Sequence, residues 1–400
     1  MTTARALRPS VGLRLVNGAF MALWTLVALF PMAWIATMSF RAPVDALATN
    51  PLTVITGPAT LAQDGGLSLV AIALGVLVLV LLGLAPARLA PLVVARAGKP
   101  WVGWIVATLL LVLLAGITLF VLLPLGVRAL EWLLRPIPLV GAIAEPLIGR
   151  TLDHYRAVWV TYEFHRNFIN SMIVTFGVVT VSLSVGTLAG YALARAGSNL
   201  AFWLLIIALV FRALPHSVLV TGYVPFFLQS REMLQPLWEW GATSWFVKLF
   251  AATPPTFYGQ PLAIILVLVS INQPFTIWMM RSFFANIPRE LDEAARVDGC
   301  SYFGAFRRVI MPVMWPGVLT TGLFSFLLAY NDYLVTALLL DAQSQTMVPA
   351  ISQFLNRDTR AADQIEAIAA AVSIAAPLFL LVMVFQKQIV SGLTQGAVKG

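Results

Sequence analysis

The sequence predicts an all-α polytopic membrane protein with about eight transmembrane helices. Three observations carry that expectation. Of 400 residues, 60% are hydrophobic and only 10% are charged, whereas soluble globular chains carry about 25% charged residues. The mean hydropathy is +0.89. Apolar runs near 20 residues recur along the chain, and at about 1.5 Å per residue each can cross roughly 30 Å of hydrocarbon. A soluble enzyme and a disordered scaffold are excluded. The single cysteine, Cys300, excludes a disulfide framework and a Cys-rich metal site. His154, His165 and His216 are scattered without metal-ligand spacing, so no bound metal is expected. The net charge of +8, in a chain of this kind, points to Lys/Arg-rich cytoplasmic loops and not to nucleic acid.

The expected spans follow in order. Residues 17–38 come after Arg5, Arg8 and Arg14. Their apolar part is too long for a signal-peptide core and no small-residue cleavage site follows, so they are read as a signal anchor with the N-terminus inside. Residues 67–85 and 101–126 are near-continuous apolar runs, joined by 86–100, which holds Arg88, Arg96 and Lys99 and no acid. Residues 127–166 and 225–260 are rich in Pro and aromatics, among them Trp132, Trp159, Trp238, Trp240 and Trp245. Such residues suit helices at the bilayer surface, where indole offers an apolar body and a polar N–H. A docking surface for a partner would look similar. Further spans are read at 167–191, 201–224, 261–281, 314–340 and 365–386.

Charge tests this topology. An even number of crossings places both termini in the cytoplasm with loops 86–100, 192–200 and 282–313. Those regions and the adjoining helix ends hold Arg5, Arg8, Arg14, Arg88, Arg96, Lys99, Arg195, Arg281, Arg289, Arg296, Arg307, Arg308, Lys387 and Lys399, which is 14 of the 25 basic residues. Only four acids, Glu290, Asp292, Glu293 and Asp298, accompany them. The bias agrees with the positive-inside rule.

The most informative stretch is 287–312, the longest polar loop on the inner face. Pro288 suits a first helical turn, and Glu290, Asp292 and Glu293 follow where acids complement the helix dipole. Leu291, Ala294, Ala295 and Val297 give this short helix a small or apolar side. Gly299 permits a sharp turn. A second short helix, 302–310, presents Phe303, Phe306 and Ile310 on one face and Arg307 and Arg308 on another, and Pro312 is expected to close it. The product is a compact helix–turn–helix hairpin suited to a groove in another protein; the plain alternative is a connecting loop.

Glu293-Ala294-Ala295, Gly299 four positions later and Pro312 resemble the E-A-A loop of ABC importer permeases, E-A-A-x3-G-x9-I-x-L-P, with Val309 and Met311 at the Ile and Leu positions. The resemblance implies a coupling hairpin that sits in a cleft of an ATP-binding subunit. Glu293, Ala294, Ala295, Asp298, Gly299 and Pro312 are its candidate residues. Tyr191–Arg195 (Y-A-L-A-R), Ser325–Tyr333 (S-F-L-L-A-Y-N-D-Y) and Gly392–Gly400 (G-L-T-Q-G-A-V-K-G) are similar to carbohydrate permeases of the maltose-transporter type, specifically its second permease. In that subunit the C-terminal tail reaches between two ATPase subunits, which makes Thr394, Gln395 and Gly396 candidates for ATPase contact. The resemblance is loose over 17–45 and good over 150–400. It divides the chain into 1–45 (inner tail and first helix), 46–150 (an insertion with two additional helices) and 151–400 (a six-helix permease core completed by the first helix, with coupling loop 287–312 and tail 387–400). A smaller extension lies around 229–258. Longer forms resemble permeases assigned to α-glucosides.

Polar groups inside the hydrocarbon layer are costly and tend to face a bundle interior or a water-filled path. Asn331 and Asp332, expected in the seventh span, read either as a translocation path or as an interhelical hydrogen bond. Asn272, Gln273 and Pro274 are expected to interrupt the sixth span, where carriers often bind substrate. Arg212, with Pro215 and His216, reads as cavity lining at a helix break or as a snorkelling or structurally paired residue. Phe275, Trp278, Phe324 and Tyr330 read as sugar-stacking rings or as packing. The outer loop from Asp341 to Asp363, with Pro349, Phe354, Asn356, Arg357, Asp358 and Arg360, would in the family approach a sugar-binding protein.

The favoured function is the permease subunit of a binding-protein-dependent sugar importer in a bacterial inner membrane. No G-x-x-x-x-G-K-[ST] phosphate loop occurs, so ATP and Mg are expected on separate subunits and no cofactor on this chain. The partners implied are a second, homologous permease, two ATP-binding subunits, a periplasmic or lipid-anchored sugar-binding protein, the sugar and membrane lipid, with no nucleic acid. A permease for a polyol or glycerol phosphate is the near alternative. An ion-coupled secondary carrier is the alternative of another class; it accounts for the spans and for Asp332 but leaves the E-A-A loop unexplained.

Overall fold

The computed structural model describes residues 11–96, 100–138, 140–196, 199–239, 255–355 and 361–397. Among them, seven helices are long and apolar enough to cross a membrane: Gly12–Ser39, Leu69–Arg96, Val102–Leu134, Phe164–Arg195, Pro261–Ala285, Tyr302–Tyr330 and Ala361–Gln386. The crossing expected at 201–224 is instead two helices, Asn199–Arg212 and His216–Glu239. Pro215 explains the break: it lacks an N–H, its ring clashes with the carbonyl four residues back, and it drives Leu214 away from helical geometry.

In chain order, α1 is Val11–Ser39, α2 Pro43–Ala46, α3 Pro51–Thr56, α4 Pro58–Asp64, β1 Gly66–Ser68 and α5 Leu69–Arg96. Then come α6 (Pro100–Ile117), α7 (Leu123–Leu134), β2 (Pro146–Gly149), α8 (Asp153–Arg156), α9 (Phe164–Arg195), α10 (Asn199–Arg212) and α11 (His216–Glu239). The remainder is α12 (Pro261–Ala285), α13 (Glu290–Val297), α14 (Tyr302–Tyr330), α15 (Leu334–Leu339), α16 (Met347–Leu355) and α17 (Ala361–Ala397).

The chain forms two compact units. The first takes Met1–Leu77, Leu122–Thr161 and Phe354–Ser373. Its polar centre is the buried Arg41, whose guanidinium donates to the carbonyls of Val54, Ile55 and Gly149. The buried Asp45 carboxylate accepts from Thr60 N and Thr60 Oγ1, each at 2.7 Å. These bonds satisfy free backbone groups at the end of α3 and the start of α4, very short helices that could not stand alone. Strands β1 and β2 pair antiparallel, Gly66 opposite Gly149, so the ends of the segment 69–145 lie side by side. Ser39 and Tyr155 hydroxyls bond at 2.8 Å. His154 Nε2 lies 3.0 Å from the Arg41 carbonyl, which can only accept, so that nitrogen carries the proton.

The second unit takes Val78–Val121, Tyr162–Gln353 and Ile374–Gly400. Its core is the packing of α9, α12 and α14. Helices α9 and α12 approach closely at glycines: a Cβ at Gly190 would lie 2.6 Å from Met280 Cβ and 2.9 Å from Arg281 N. Such small-residue contacts drive association where lipid is as apolar as the side chains. Ala90 of α5, Ala107 and Leu111 of α6, and Val384 of α17 form a separate small cluster.

Candidate functional site

The hairpin forms as its sequence suggests, with one correction. Helix α13 begins just after Pro288 and carries Glu290, Asp292 and Glu293 in its first turn. Gly299 has φ +86°, and nothing lies within 4 Å of where a Cβ would sit, so backbone conformation alone demands glycine there. Ser301 then caps the next helix, its Oγ accepting from Gly304 N at 3.1 Å. Pro312 does not end that helix. Tyr302–Tyr330 is continuous, with a π-helical turn at Phe306–Ile310 immediately before the proline. The wider turn accommodates a residue that cannot donate to the helical ladder.

One side of the hairpin is anchored and the other is free. Phe306 and Ile310 are buried with Met280, Phe284, Ile287 and Met314, and Ala295 is buried. Glu293, Ala294, Asp298, Gly299 and Pro312 are exposed. So are Val297 (87%), Tyr302 and Phe303 (63%), three large apolar side chains around the turn. Arg296 lies over the Tyr302 ring at 4.2 Å. Glu293, Asp298, Arg307 and Arg308 are also exposed on the hairpin, and an exposed apolar patch with charged residues nearby has the composition of an interaction surface.

A latch fixes the hairpin to the end of α9. Arg195 pairs with Asp292 at 2.7 Å, both side chains mostly buried, 17% and 15% exposed. Arg195 also donates to the carbonyls of Ile287 at 3.1 Å and Phe284 at 3.4 Å. Tyr191 OH donates to the other Asp292 oxygen, and its ring packs tilted against Phe306 and edge-on to Phe284. Sequence reasoning quoted Tyr191 and Arg195 only as a motif and gave Asp292 a dipole role. An i, i+4 Tyr/Arg pair at a helix C-terminus was the available signal.

The other candidates separate. Helix α12 runs unbroken through Asn272, Gln273 and Pro274, against the expected interruption. Asn272 is fully buried, donating to Ser325 Oγ at 2.8 Å and Ser182 Oγ at 3.4 Å, and Gln273 donates to the Ser182 carbonyl at 3.4 Å. These bonds tie α12 to Ser182 of α9 and Ser325 of α14. Tyr330 is buried, its OH donating to the Ile374 carbonyl at 2.9 Å. Asn331 and Asp332 lie just beyond α14, not within it, because Asp332 turns back to accept from Thr336 N at 3.0 Å and starts α15. They line a cavity of about 290 Å³ with Leu268, Ile271, Tyr333 and Leu334. The backbone of Thr394, Gln395 and Gly396 continues α17. Asn356, Arg357, Asp358 and Arg360, with Trp240, Trp245, Arg5, Arg8, Lys99 and Lys399, lie outside the described residues.

Residues 183–395, which include the whole hairpin and its latch, match the family described as binding-protein-dependent transport system inner membrane component. The chain belongs to that family. Its relatives include the diacetylchitobiose uptake system permease of Streptomyces coelicolor, 32% identical over 252 residues, 62% of this chain and 81% of the relative. The trehalose transport system permease of Mycobacterium tuberculosis is 30% identical over 251 residues, 62% and 82% of the two chains. The alpha-glucoside transport system permease of Rhizobium meliloti is 29% identical over 258 residues, 62% and 60%. A solved bacterial ABC transporter for alginate aligns with 73% of this chain and 98% of its own at 18% identity and a TM-score of 0.45. This permease is thus of the carbohydrate ABC importer type, a multi-pass inner-membrane subunit and not a catalytic enzyme.

Proposed function

We propose that this chain is the permease subunit through which a carbohydrate, an oligosaccharide or an α-glucoside, enters the cell, in a complex with a second homologous permease, two ATP-binding subunits and a sugar-binding protein. The observation that carries this reading is the hairpin: an apolar tip at Val297, Tyr302 and Phe303, held to the transmembrane bundle by Arg195 and Asp292. Relatives that transport alpha-glucosides, trehalose and maltodextrin support the substrate class.

In this reading the hairpin seats in a cleft of an ATP-binding subunit, with Glu293, Ala294, Ala295, Asp298 and Gly299 at the contact. ATP and Mg belong to that subunit. Closure of two such subunits draws the hairpins together. The latch passes the movement to α9, which moves with α12 and α14 because all three interlock at glycines and at Asn272. The cavity then opens alternately to the two sides. Both termini lie in the cytoplasm, α10 and α11 together supply the eighth crossing, and Thr394, Gln395 and Gly396 reach the ATPase dimer. Asn331 and Asp332 line part of the sugar's route. Residues 46–150 are an insertion into a six-helix permease. An importer of a polyol or glycerol phosphate would use the same hairpin and differ only along the route.

The test is uptake of labelled α-glucoside by cells carrying the whole operon, wild type against Gly299→Asp. Uptake should vanish while the protein still inserts. Uptake at full rate, lost only when the proton gradient is collapsed, would overturn the reading.

A further inference from the structure

Four residues from three separate helices meet in the second unit. The Arg212 guanidinium lies over the Phe275 ring, 4.7 Å from its centroid. Phe275 is edge-on to Phe324 at 6.0 Å and tilted against Trp278 at 6.2 Å. They come from three helices, α10, α12 and α14. At about 1.5 Å per residue, Arg212 stands about 20 Å from the Asn199 end of α10 and Phe275 about 15 Å from the Ala285 end of α12, while Phe324 is about 9 Å from the Tyr330 end of α14. Phe275, Trp278 and Phe324 lie in two of the helices long and apolar enough to cross a hydrocarbon layer about 30 Å thick, and Arg212 packs against that aromatic group.

A guanidinium in such surroundings is costly unless it has a counter-charge, an acceptor or water. Among the described residues Arg212 has the Phe275 ring and no carboxylate or carbonyl partner, and its Nε is buried without an acceptor. It stands at the end of α10, where the chain breaks before Pro215. The aromatic face beside it is open: Trp278 is 42% exposed, while Phe275 and Phe324 are half-buried. Lipid satisfies the rings but not the donors, and water satisfies the donors but not the rings. A pyranose satisfies both, because its C–H face stacks on aromatic rings while its hydroxyls accept from a planar donor fork.

We propose that Arg212, Phe275, Trp278 and Phe324 form the sugar-contacting site that this subunit contributes to the translocation path, with the rings carrying a pyranose and Arg212 fixing its hydroxyls. The inference rests on the sugar-permease reading above. It shifts the substrate contact away from Asn272 and Tyr330, which are buried between helices with the Asn272 amide N–H and the Tyr330 hydroxyl already donated to protein acceptors. A contact with the second permease is the competing use of the same face.

The complete transporter with its binding protein is reconstituted in proteoliposomes and offered labelled maltose, trehalose and diacetylchitobiose. Sugar moved per ATP hydrolysed is measured for wild type, Arg212→Gln, Arg212→Lys and Phe275→Ala. The Gln and Ala variants should lower that ratio about tenfold and change the preference among the three sugars, with Lys in between. An unchanged ratio and preference in assembled complexes overturns the proposal. Loss of the second permease on co-purification also overturns it and assigns the face to that interface. If wild type moves none of the sugars in an ATP-dependent way while Arg212→Gln and wild type behave alike, the sugar-permease reading falls and this site with it. If wild type transports and only Gly299→Asp fails, the parent reading stands and the site alone is refuted.

Discussion

Breaking the latch between α9 and α13 should release the hairpin without unfolding the bundle, and its magnitude can be worked from the contacts. Asp292→Asn keeps the shape and removes the charge, so it loses the ionic part of bonds to Arg195 and Tyr191, about 1.5–3 kcal/mol for hydrogen bonds to charged groups. Arg195→Ala does more. It deletes the ion pair and the two carbonyl bonds and strands a mostly buried carboxylate, for a loss of about 3–5 kcal/mol. The double variant strands no charge, so its cost should fall short of the sum by about 1.5–3 kcal/mol, within the coupling measured for residues in contact. At 1.4 kcal/mol per factor of ten, Arg195→Ala raises the detached population of the hairpin by roughly a hundredfold to a few thousandfold. Amide hydrogen exchange across residues 290–297 reads that local opening directly. Additivity of the two single variants to within about 0.5 kcal/mol, or protection at 290–297 equal to wild type in Arg195→Ala, would refute the latch.

Gly190→Ala inserts a Cβ only 2.6 Å from Met280 Cβ and 2.9 Å from Arg281 N. Overpacking of about 1–3 kcal/mol should outweigh the gain of about 1 kcal/mol in helix propensity and lower the thermal midpoint in detergent. Gly116→Ala, with nothing within 4 Å, should not lower it. Burial pulls the His154 imidazole below its ordinary value near 6.5, so the native state holds it neutral and the unfolded state takes up the proton first. Its contribution is therefore present above about pH 6.5 and is lost as pH falls below it towards the native pKa. Unfolding followed between pH 8 and 5, on the order of that window, should show wild type losing more stability than His154→Gln; equal losses would sink the assignment. Replacing 69–145 by a two-residue Asn-Gly turn should leave the rest of the chain inserted, because Ser68 and Pro146 are already paired across β1 and β2 and lipid can cover the face of α17 that is exposed. Degradation of the shortened chain in cells would count against that.

How much was legible depends on how local each feature is. The hairpin was readable because its signals are punctuation, a proline and acids in a first turn and Gly299 at a sharp turn, whereas the Ser301 cap came only with the structure. Seven of the spans were readable because burial in lipid needs only length and apolar composition. The eighth misled, since hydropathy carries straight across Pro215 while the helix does not. Pro274 and Pro312 misled in the opposite sense. Each looked like a break, yet Ser182, Asn272, Ser325 and Thr276 surround the one, and a π turn precedes the other.

The sequence by itself determined the class of protein, the positions of most spans and the presence of a docking hairpin with its turn. Only the tertiary structure decided which polar residues are partners: Arg195 with Asp292 across 97 positions, Arg41 with Gly149, Arg212 with Phe275. The physical reason is that composition and period report how one residue meets its surroundings, water or lipid, along a single helix. A pairing is set by where two distant helices cross, and that is decided by close approaches such as Gly190 on Met280. The same arginine can snorkel, pair or bind sugar, and nothing short of the fold distinguishes those fates.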